Sequence, residues 1–521
     1  MNHEPAHDNY VVHLLSKLAE RGERDAIRFE GQRITSDEAR VKVLRLAAYF
    51  RAAGAQPGDG IALFSRNRPE VLLVKMAAHL IGCRLVFVPP QPGDDELSGY
   101  VEHAGIRVLV YDAAFAPRVA RILARVDVPV ALSLGEDPPR TDLAAWLATA
   151  DGPGLDPAAA APASDIATIL YTGGSTGNPK LVMHHSRYYR GLLELSKVNV
   201  SHAADKKFLV CTELTHTSGH LSSLIGVMTG QTIVLMEDFD GARALAVVAE
   251  EQITSMTVVP PMLYEILDAS AATASPSGHS TLQAIYYGGS SPAPSRIRQA
   301  IERFGPILHQ FYGATEHAVV SRLAAEEHDL ARPKILESCG RPVPGVEVEV
   351  RDAAGNRLGP GQVGELCVRG DMVMDGYWGA PAGAADSLAG GWFKSGDLGY
   401  RDEDGYIYLV DRIKDIIIPG LTSDNVYSRL LDDFLVSLPE IRDAAAVGIP
   451  AVDQRETVHV FLVLADPAAF DFEDLRRKVT RQLGEIYEPK SYSAVSVLPR
   501  TNVGKVDKRE LRARFVTACI V

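Results

Sequence analysis

Strand-like and helical patterns alternate along the N-terminal part of this chain, and this alternation limits its fold more than any other feature. Short apolar runs predict strands at Arg84–Val88, Val108–Tyr111 and Val128–Leu132. Segments with helical spacing lie between or before them, among them Arg68–Ile81 and Pro117–Val126. Strands that alternate with helices predict α/β units built on largely parallel sheets.

Length and composition narrow the class of protein. A chain of 521 residues is too long for one ordinary hydrophobic core, so two or more domains are expected. The hydrophobic fraction of 46% and the charged fraction of 23% are typical of a globular protein. The net charge of −13 disfavours non-specific binding to nucleic acid or to an anionic membrane. An anionic ligand would therefore need a local cluster of basic side chains.

Cysteine usage and hydropathy indicate a reducing compartment. The five cysteines are scattered without paired spacing, so neither a zinc motif nor a disulfide framework is expected. The first eight residues are polar and lack the apolar core of a signal peptide. No run of about 18 apolar residues occurs, so no membrane span is predicted. Together these features predict a cytoplasmic protein.

A glycine-rich stretch, Tyr171–Lys180 (YTGGSTGNPK), follows the strand-like run Ile166–Leu170. Glycines let the backbone turn tightly and aim several N–H groups at one point, where serine and threonine hydroxyls add donors. The lysine adds the positive charge that a polyphosphate requires. The common phosphate-loop pattern does not fit, because two residues separate the last glycine from Lys180. A surface loop between a strand and a helix is the alternative interpretation.

Further charged and glycine-rich motifs follow in a definite order. Gln310–His317 (QFYGATEH) combines an aromatic ring, a hydroxyl and a carboxylate. Asp397 and Arg412 flank an Asp-Gly pair that predicts a hairpin turn. Lys505 follows Gly504 near the C-terminus. Taken singly, each charge would be interpreted as a surface group or a helix-start carboxylate.

Taken together and in this order, these segments resemble the signature motifs of the AMP-forming adenylating superfamily. That superfamily includes acyl-CoA synthetases, aryl-acid-activating enzymes, peptide-synthetase adenylation domains and firefly luciferase. The Gly-Gly-Ser-Thr-Gly and Pro-Lys-Leu variants are most similar to the aryl-acid-activating branch. The resemblance implies an α/β fold with a large N-terminal domain (1–412) of two α/β subdomains plus a β-rich subdomain. It also implies a small, mobile α+β C-terminal domain (413–521) with its hinge near Lys414.

The resemblance also implies which residues hold the nucleotide. The expected nucleotide-binding set is Thr172, Gly173, Gly174, Ser175, Gly177, Gly288, Gly289, Tyr312, Gly313, Thr315, Asp397 and Arg412. Within it, Tyr312 would lie near adenine, Asp397 would accept both ribose hydroxyls, and the two glycines at 288 and 289 would form the floor for adenine or the acid.

A second implied set carries the chemistry. Lys180 and Thr176 would hold the β- and γ-phosphates, Glu316 and Thr176 would lie at Mg²⁺, and Lys505 would stabilise the developing charge. His216, with Gly219 beside it, occupies the place where the family often has an aromatic or histidine side chain in the acid pocket.

The implied reaction joins a small carboxylic acid, aryl acids being one candidate class, to AMP with release of pyrophosphate. The acyl group then passes to a thiol, supplied by CoA or by the phosphopantetheine of an acyl carrier protein. ATP and Mg²⁺ are the expected cofactors, and no nucleic-acid partner is expected. The C-terminal domain would rotate about Lys414 between the two steps.

One segment departs from the family pattern. The family has Ser-Gly-Gly-Glu-Asn-Val-Tyr-Pro after Ile416–Ile418, whereas this chain has Pro-Gly-Leu-Thr-Ser-Asp-Asn-Val-Tyr-Ser over 419–428. In thiol-using relatives this loop shapes the pantetheine tunnel. The departure leaves two alternatives open: transfer to an amine, or activation of a small oxyanion such as nitrite without a thioester. A non-catalytic nucleotide-binding protein is a further alternative, against which the retained charged residues argue.

Overall fold

The computed structural model describes residues 9–90, 93–151, 154–162, 165–172, 180–198, 206–272, 281–380, 388–419, 425–450, 456–500 and 505–518. Elements are numbered along the chain within these ranges. The α-helices are α1 Tyr10–Arg21, α2 Ser36–Ala52, α3 Pro69–Leu80, α4 Asp94–His103, α5 Ala116–Leu123, α6 Leu143–Thr149, α7 Arg187–Val198, α8 Thr217–Met228, α9 Gly241–Glu251, α10 Pro260–Ala272, α11 Pro294–Phe304, α12 Ser428–Val436, α13 Phe472–Leu483 and α14 Lys508–Ala518.

The strands are β1 Asp25–Phe29, β2 Gln32–Thr35, β3 Gly60–Phe64, β4 Arg84–Phe87, β5 Ile106–Asp112, β6 Val130–Leu134, β7 Thr141–Asp142, β8 Ile166–Thr172, β9 Lys180–His185, β10 Lys207–Val210, β11 Thr232–Leu235, β12 Ser255–Val258, β13 Ala284–Gly288, β14 Leu308–Ala314, β15 Ala318–Leu323, β16 Arg341–Pro342, β17 Val346–Arg351, β18 Gly364–Gly370, β19 Gly376–Tyr377, β20 Leu388–Ala389, β21 Trp392–Arg401, β22 Ile407–Arg412, β23 Ile441–Pro450, β24 Glu456–Leu464 and β25 Ser491–Ala494.

Two large sheets form the body of the protein. Over the described residues, one sheet has the order β16-β15-β14-β13-β12-β10-β11-β1-β2, and its strands from β14 to β1 run parallel. The other has the order β19-β9-β8-β4-β3-β5-β6-β7, parallel from β8 to β7. Both are α/β sheets, as the alternation of patterns predicts, and antiparallel strands lie at their edges.

Two smaller sheets complete the fold. Strands β17, β18, β20, β21 and β22 pair antiparallel, which matches the predicted β-rich subdomain. Strands β23, β24 and β25 form a separate sheet with α12, α13 and α14 near it, which matches the predicted α+β unit. This unit has apolar clusters of its own, around Leu431, Val460 and Leu511. The predicted fold class is therefore confirmed.

Apolar helix faces join the two large sheets. The largest hydrophobic cluster contains α1, α2 and α3 side chains such as Leu14, Phe50 and Leu72, together with inward residues of both sheets. Helix α2 begins with a capping box, in which Thr35 Oγ1 accepts from the Glu38 N–H and the Glu38 carboxylate accepts from the Thr35 N–H. Within the described residues, none of the helices combines the length and apolar composition that a bilayer-spanning segment requires.

The structure differs from the sequence-based expectations in two places. Lys180 begins strand β9, which pairs antiparallel with β8, so β8 and β9 are hairpin partners instead of a strand followed by a helix. Strand β7 and helix α6, at 141–149, were not among the predicted elements. Asp142 caps α6, and Leu143 and Leu147, one helical turn apart, are buried. The Ala- and Pro-rich composition of this segment obscured that spacing.

Candidate active site

A cleft of about 2470 Å³ lies where the two large sheets, the β17–β22 sheet and the C-terminal segment meet. Its walls come from the ends of β12, β13 and β14, from β8 and β9, from the β21–β22 pair and from the first turn of α8. Ligands in α/β proteins bind beyond the carboxyl ends of parallel strands, and β12, β13 and β14 end at this cleft. This cleft is therefore the candidate active site.

Asp397 is held from two sides. Strands β21 and β22 pair so that Asp397 lies directly opposite Arg412, and Arg412 Nε is 3.2 Å from Asp397 Oδ1. The Tyr312 hydroxyl donates to Asp397 Oδ2 at 2.7 Å. Burial, and after it the Asp397 carboxylate, raise the pKa of Tyr312 well above its usual range, so the phenol remains a donor. Asp397 is thus a fixed carboxylate at the cleft wall, and Tyr312 serves as its hydrogen-bond donor.

Lys180 and Glu316 share one neighbour, the ring of Tyr377. Lys180 Nζ lies 4.6 Å from the centre of that ring, within cation–π range. The Tyr377 hydroxyl lies 3.4 Å from Glu316 Oε1, at the long limit of a hydrogen bond. Strand β19 pairs with β9 so that Tyr377 is opposite Val182, which fixes the ring beside the lysine. No local sequence signal marks Tyr377 as a neighbour of Lys180.

Lys505 extends from the C-terminal segment into the same cleft. Burial, and after it the positive charge of Arg412, lower the pKa of Lys505 to about 8. Asp397 and Glu316 interact with Lys505 electrostatically and favour its charged form. Lys505 therefore lies in the same cleft as the other predicted site residues, although it is far from all of them along the chain.

His216 is the N-cap residue of α8 and lines the cleft. Its Nδ1 accepts from the Ser218 N–H at 3.4 Å and caps the helix. Burial, and after it Lys505, lower the pKa of His216 to about 4, so its ring is neutral near pH 7. Because Nδ1 accepts, the ring proton resides on Nε2, which makes that atom a donor.

Gly219 does not line the cleft. A Cβ at Gly219 would lie 2.1 Å from the Glu213 carbonyl oxygen, so this glycine lets α8 pack against the preceding loop. The predicted place of Gly219 in the acid pocket is not supported by this geometry, because its missing side chain faces backbone atoms of 212–213.

Glycines at the ends of β13 and β14 allow close backbone packing. A Cβ at Gly288 would lie 2.3 Å from the Phe311 carbonyl oxygen, and one at Gly313 would lie 1.7 Å from the Ala318 carbonyl oxygen. Gly289 has a φ of +89°, which favours glycine. All three line the cleft. They keep this part of the cleft wall formed by backbone atoms.

The remaining predicted residues fall into two groups. Thr172, Thr315 and Lys414 line the cleft, and Thr172 pairs with Lys180 across β8 and β9. Burial, and after it Arg412, lower the pKa of Lys414. The rest of the predicted phosphate loop, comprising Gly173, Gly174, Ser175, Thr176 and Gly177, lies outside the described residues.

An apolar recess extends from the cleft beside His216. Phe208, Leu221 and Ile225 line it, together with Tyr286 and Phe311. Phe208 and Tyr286 meet edge to face with ring centroids 6.0 Å apart, and Tyr286 and Phe311 are 5.9 Å apart. The sequence did not identify these side chains, because as members of strands and a helix they follow the ordinary patterns of core residues.

Too few of the described carboxylates of the cleft lie together for a metal site made of protein ligands alone. Among the described residues, no three His, Cys, Asp or Glu side chains are grouped as a protein metal cage would require. Glu316 is a single carboxylate at the cleft. Mg²⁺ in nucleotide sites is bound through one or two carboxylates, phosphate oxygens and water. Glu316 therefore fits Mg²⁺ bound with a nucleotide and does not fit a resident metal centre.

Comparison with known proteins settles the family. Residues 15–378 match the AMP-binding enzyme family, and residues 431–505 match the AMP-binding enzyme C-terminal domain. The chain belongs to the AMP-binding enzyme family. The second match lies inside the predicted 413–521 unit.

Relatives of this AMP-binding enzyme include ligases and an amide-forming enzyme. It is 33% identical to a medium/long-chain-fatty-acid–CoA ligase, FadD8, of Mycobacterium tuberculosis, over 98% of this chain and 90% of that protein. It is 32% identical to a feruloyl-CoA synthase of an Amycolatopsis species, over 94% and 96%. The structure of the amide bond synthetase McbA from Marinactinospora thermotolerans superposes with a TM-score of 0.87 at 34% identity, over 97% and 99%. The AMP-binding enzyme is accordingly an AMP-forming ligase that uses ATP.

Proposed function

We propose that this enzyme activates a small carboxylic acid as its acyl-adenylate and transfers the acyl group to a thiol. The observation that carries the proposal is the convergence of five charged side chains from distant segments on one cleft: Lys180, Glu316, Asp397, Arg412 and Lys505. A carboxylate oxygen and the α-phosphate repel each other, so their reaction requires neutralised charge and fixed geometry. A cleft that combines cations with fixed carboxylates meets both requirements.

Each side chain has a role that its surroundings support. The Asp397 carboxylate, oriented by Tyr312 and Arg412, would accept hydrogen bonds from the ribose hydroxyls. Lys180, beside the Tyr377 ring, would contact the phosphates that leave as pyrophosphate. Lys505 would donate to the oxygen atoms on which negative charge develops as the carboxylate attacks. Removal of a donor of this kind lowers the rate by on the order of 10²–10³-fold.

Glu316 would hold Mg²⁺ at the phosphates, with Thr176 as the second predicted oxygen ligand. The ion would supply positive charge to the phosphate oxygens of ATP. Glu316 has a neighbour that limits its motion, because the Tyr377 hydroxyl lies beside Oε1. Lys180 and Glu316 are thereby kept at one side of the cleft.

The acid would occupy the recess between His216 and the aromatic side chains. The carboxylate would point toward Lys505 and the His216 Nε2 donor, and the body of the acid would contact Phe208, Tyr286 and Phe311. Aromatic walls favour flat or apolar acids. Aryl acids are the first class to test, and fatty acids of moderate length are the second.

The acceptor is proposed to be a thiol, with CoA preferred and a carrier-protein pantetheine as the alternative. Similarity to the fatty-acid–CoA ligase and the feruloyl-CoA synthase supports this choice. We also propose that 1–412 and 413–521 move as separate units about Lys414, so that Lys505 leaves the cleft before the thiol enters. The change in direction of the chain at Ile413–Asp415, a short 3₁₀ turn after β22, is consistent with such a hinge.

Transfer to an amine is the second candidate. Two observations favour it: the segment 419–428 departs from the thiol-using pattern, and McbA, named an amide bond synthetase, is similar over nearly the whole chain. Both candidates share the adenylation step and differ only in the nucleophile.

A two-stage experiment separates these possibilities. Pyrophosphate release would first be measured with a panel of aryl, fatty and short acids, with nitrite included. The best acid would then be incubated with ATP and CoA, a holo carrier protein or a primary amine, and the products identified by mass spectrometry. A thioester supports the first proposal and an amide without any thioester selects the second. No release of pyrophosphate with any acid would refute adenylation.

A further inference from the structure

A chain of hydrogen bonds at the wall of the cleft connects the start of α14 to strand β22. Lys508 Nζ donates to Ser428 Oγ at 2.7 Å, and the Ser428 hydroxyl donates to Asp411 Oδ2 at 3.0 Å. Asp411 is the residue before Arg412, and Lys508 is three residues after Lys505. These hydrogen bonds therefore join β22, which carries Arg412, to α14, which begins three residues after Lys505.

The residues of this hydrogen-bonded chain are buried, and they make further contacts with charged and backbone groups. Ser428 is 0% exposed and Asp411 is 7% exposed. The Lys508 ammonium also lies 2.6 Å from Asp432 Oδ2, and the Arg429 N–H donates to Asp411 Oδ2 at 3.3 Å. Hydrogen bonds with a charged partner are stronger than neutral ones, and burial limits competition from water.

Serine is needed at the centre of this chain because it both accepts and donates. Its oxygen accepts from the ammonium while its proton is donated to the carboxylate. Alanine or proline could do neither. The family pattern has proline at position 428, and proline has no side-chain donor. In this protein serine stands there and bridges Asp411 and Lys508.

The geometry also links Lys508 rigidly to Lys505. Asp507 accepts from the Arg509 and Glu510 N–H groups and so caps α14, and its own N–H donates to the Pro499 carbonyl oxygen at 2.8 Å. Val506 forms a β-bridge with Arg500. Only two residues, both hydrogen-bonded, separate Lys508 from Lys505, so an anchor on Lys508 limits where Lys505 can lie.

We propose that Ser428 and Lys508 are positioning residues for adenylation, which hold Lys505 in the cleft by anchoring the start of α14 to Asp411. This inference rests on the adenylation proposed above and adds a requirement to it. Neither residue contacts the substrate under this proposal. Their loss should lower the step that needs Lys505 and spare the step that does not.

Two substitutions at Ser428 test the proposal without disturbing a charge. Ser428→Ala removes the bridging hydroxyl. Ser428→Pro removes it as well, and the backbone tolerates proline there: Ser428 is the first residue of α12, and Tyr427 before it is extended, with φ −82° and ψ 105°. Lys508→Met removes the donor, and Lys508→Arg restores a donor group to the same partners. Arg514→Met is the matched control, because Arg514 lies on α14 and its ion pair among the described residues is with Glu510 of the same helix.

The measurements are acid-dependent ATP–pyrophosphate exchange, acyl transfer from supplied acyl-adenylate to the acceptor, and the melting temperature. Both Ser428 variants should lower the kcat of exchange by about tenfold, the effect of losing a hydrogen bond to a charged group. Acyl transfer and KM for ATP should stay near wild type, and the melting temperature should fall by only about 4 °C, because one hydrogen bond is a small part of the stability of a large protein. Lys508→Met should lower exchange further, Lys508→Arg should recover part of the loss, and Arg514→Met should match wild type.

Other outcomes of these measurements would overturn the proposal. Exchange that is unchanged in both Ser428 variants, or that falls to the same extent as acyl transfer, overturns the positioning role. Should Lys508→Met fail to fold, the two Ser428 variants decide the question alone. Wild-type enzyme that shows no acid-dependent exchange overturns the adenylation proposal and this one with it. Exchange in wild type with unaffected variants overturns only this one.

Discussion

The Tyr312 hydroxyl donates a 2.7 Å hydrogen bond to Asp397 Oδ2, and this contact joins two different sheets at the cleft. Tyr312 belongs to β14 of a large parallel sheet, whereas Asp397 belongs to β21 of the antiparallel sheet. The same carboxylate faces Arg412 on β22. The position of the proposed ribose-binding oxygen atoms is therefore set by how the two sheets pack.

Tyr312→Phe tests this relationship. Loss of the donor frees one oxygen of Asp397, so the carboxylate loses its fixed orientation toward ribose. KM for ATP should rise by about tenfold, the usual effect of a hydrogen bond to a charged group, with a smaller change in kcat. Tyr406→Phe is a matched control, because the Tyr406 hydroxyl donates to Glu327 at 2.9 Å in a different part of the protein. Equal effects of the two substitutions on KM would contradict the assigned role of Tyr312.

The pH dependence of adenylation should report Lys505. Its pKa is lowered to about 8 by burial first and by Arg412 second. Lys505 acts in its protonated form, which predominates below that pKa and is lost as pH rises through it. The kcat/KM for ATP, which reports the free enzyme, should therefore fall above about pH 8. Lys505→Arg should move the fall to higher pH, because arginine stays protonated, although its maximal rate should be lower. A profile that stays flat to pH 10 would count against Lys505 as the proton-bearing group.

Glu316→Gln should raise the Mg²⁺ concentration needed for half-maximal pyrophosphate exchange. The amide keeps the shape of the side chain but removes the negative charge that attracts the cation. The measurement is a Mg²⁺ titration at fixed ATP and acid. Glu326→Gln removes an exposed carboxylate ten residues away and should leave the titration unchanged. If both variants titrate like wild type, Glu316 does not hold the ion.

The free energy of unfolding should depend on pH through Lys75. Lys75 is 0% exposed, donates to the Leu214 carbonyl oxygen at 2.5 Å and lies 5.2 Å from the Phe87 ring centre. Burial lowers the pKa of Lys75 well below its usual value. Between the folded and unfolded pKa the unfolded chain binds more protons, so stability rises with pH, by at most about 1.4 kcal/mol per pH unit.

Lys75→Met should flatten that rise when unfolding by urea is followed from pH 7 to 9. Lys42→Met is the control, because Lys42 also donates to a carbonyl oxygen, that of Leu147, but is only partly buried. The control should keep the wild-type slope. A slope that is the same in all three proteins would show that Lys75 is not responsible for it.

Much of the fold could be predicted because the apolar residues of this sequence recur with the spacing of strands and helices. The strands predicted at 84–88, 108–111 and 128–132 correspond to β4, β5 and β6, with ends that agree within two residues. Helix α6 was missed because its buried leucines stand in a run of alanines, where helical spacing gives little contrast. The β8–β9 pairing was missed because the glycine-rich stretch between the strands has no hydrophobic period.

Only those site residues that belong to recognisable sequence motifs could be predicted. Asp397 and Arg412 were paired through the resemblance, and the strand register now places them opposite each other. Tyr377 and Ser428 could not be found this way. Their roles depend on partners from distant segments, Lys180 and Glu316 for one and Asp411 and Lys508 for the other. Local sequence patterns do not report contacts of that range.

Acid-dependent ATP–pyrophosphate exchange in wild type and Lys505→Ala is the most direct measurement of whether these converging charges form acyl-adenylate. Wild-type enzyme should exchange label only when a suitable acid is present, and Lys505→Ala should lower the rate by on the order of 10²–10³-fold. Lys478→Ala, which removes a lysine that pairs with Glu440 in the C-terminal unit, should exchange like wild type. Exchange that needs no acid, or that is the same in wild type and Lys505→Ala, would contradict the proposed chemistry.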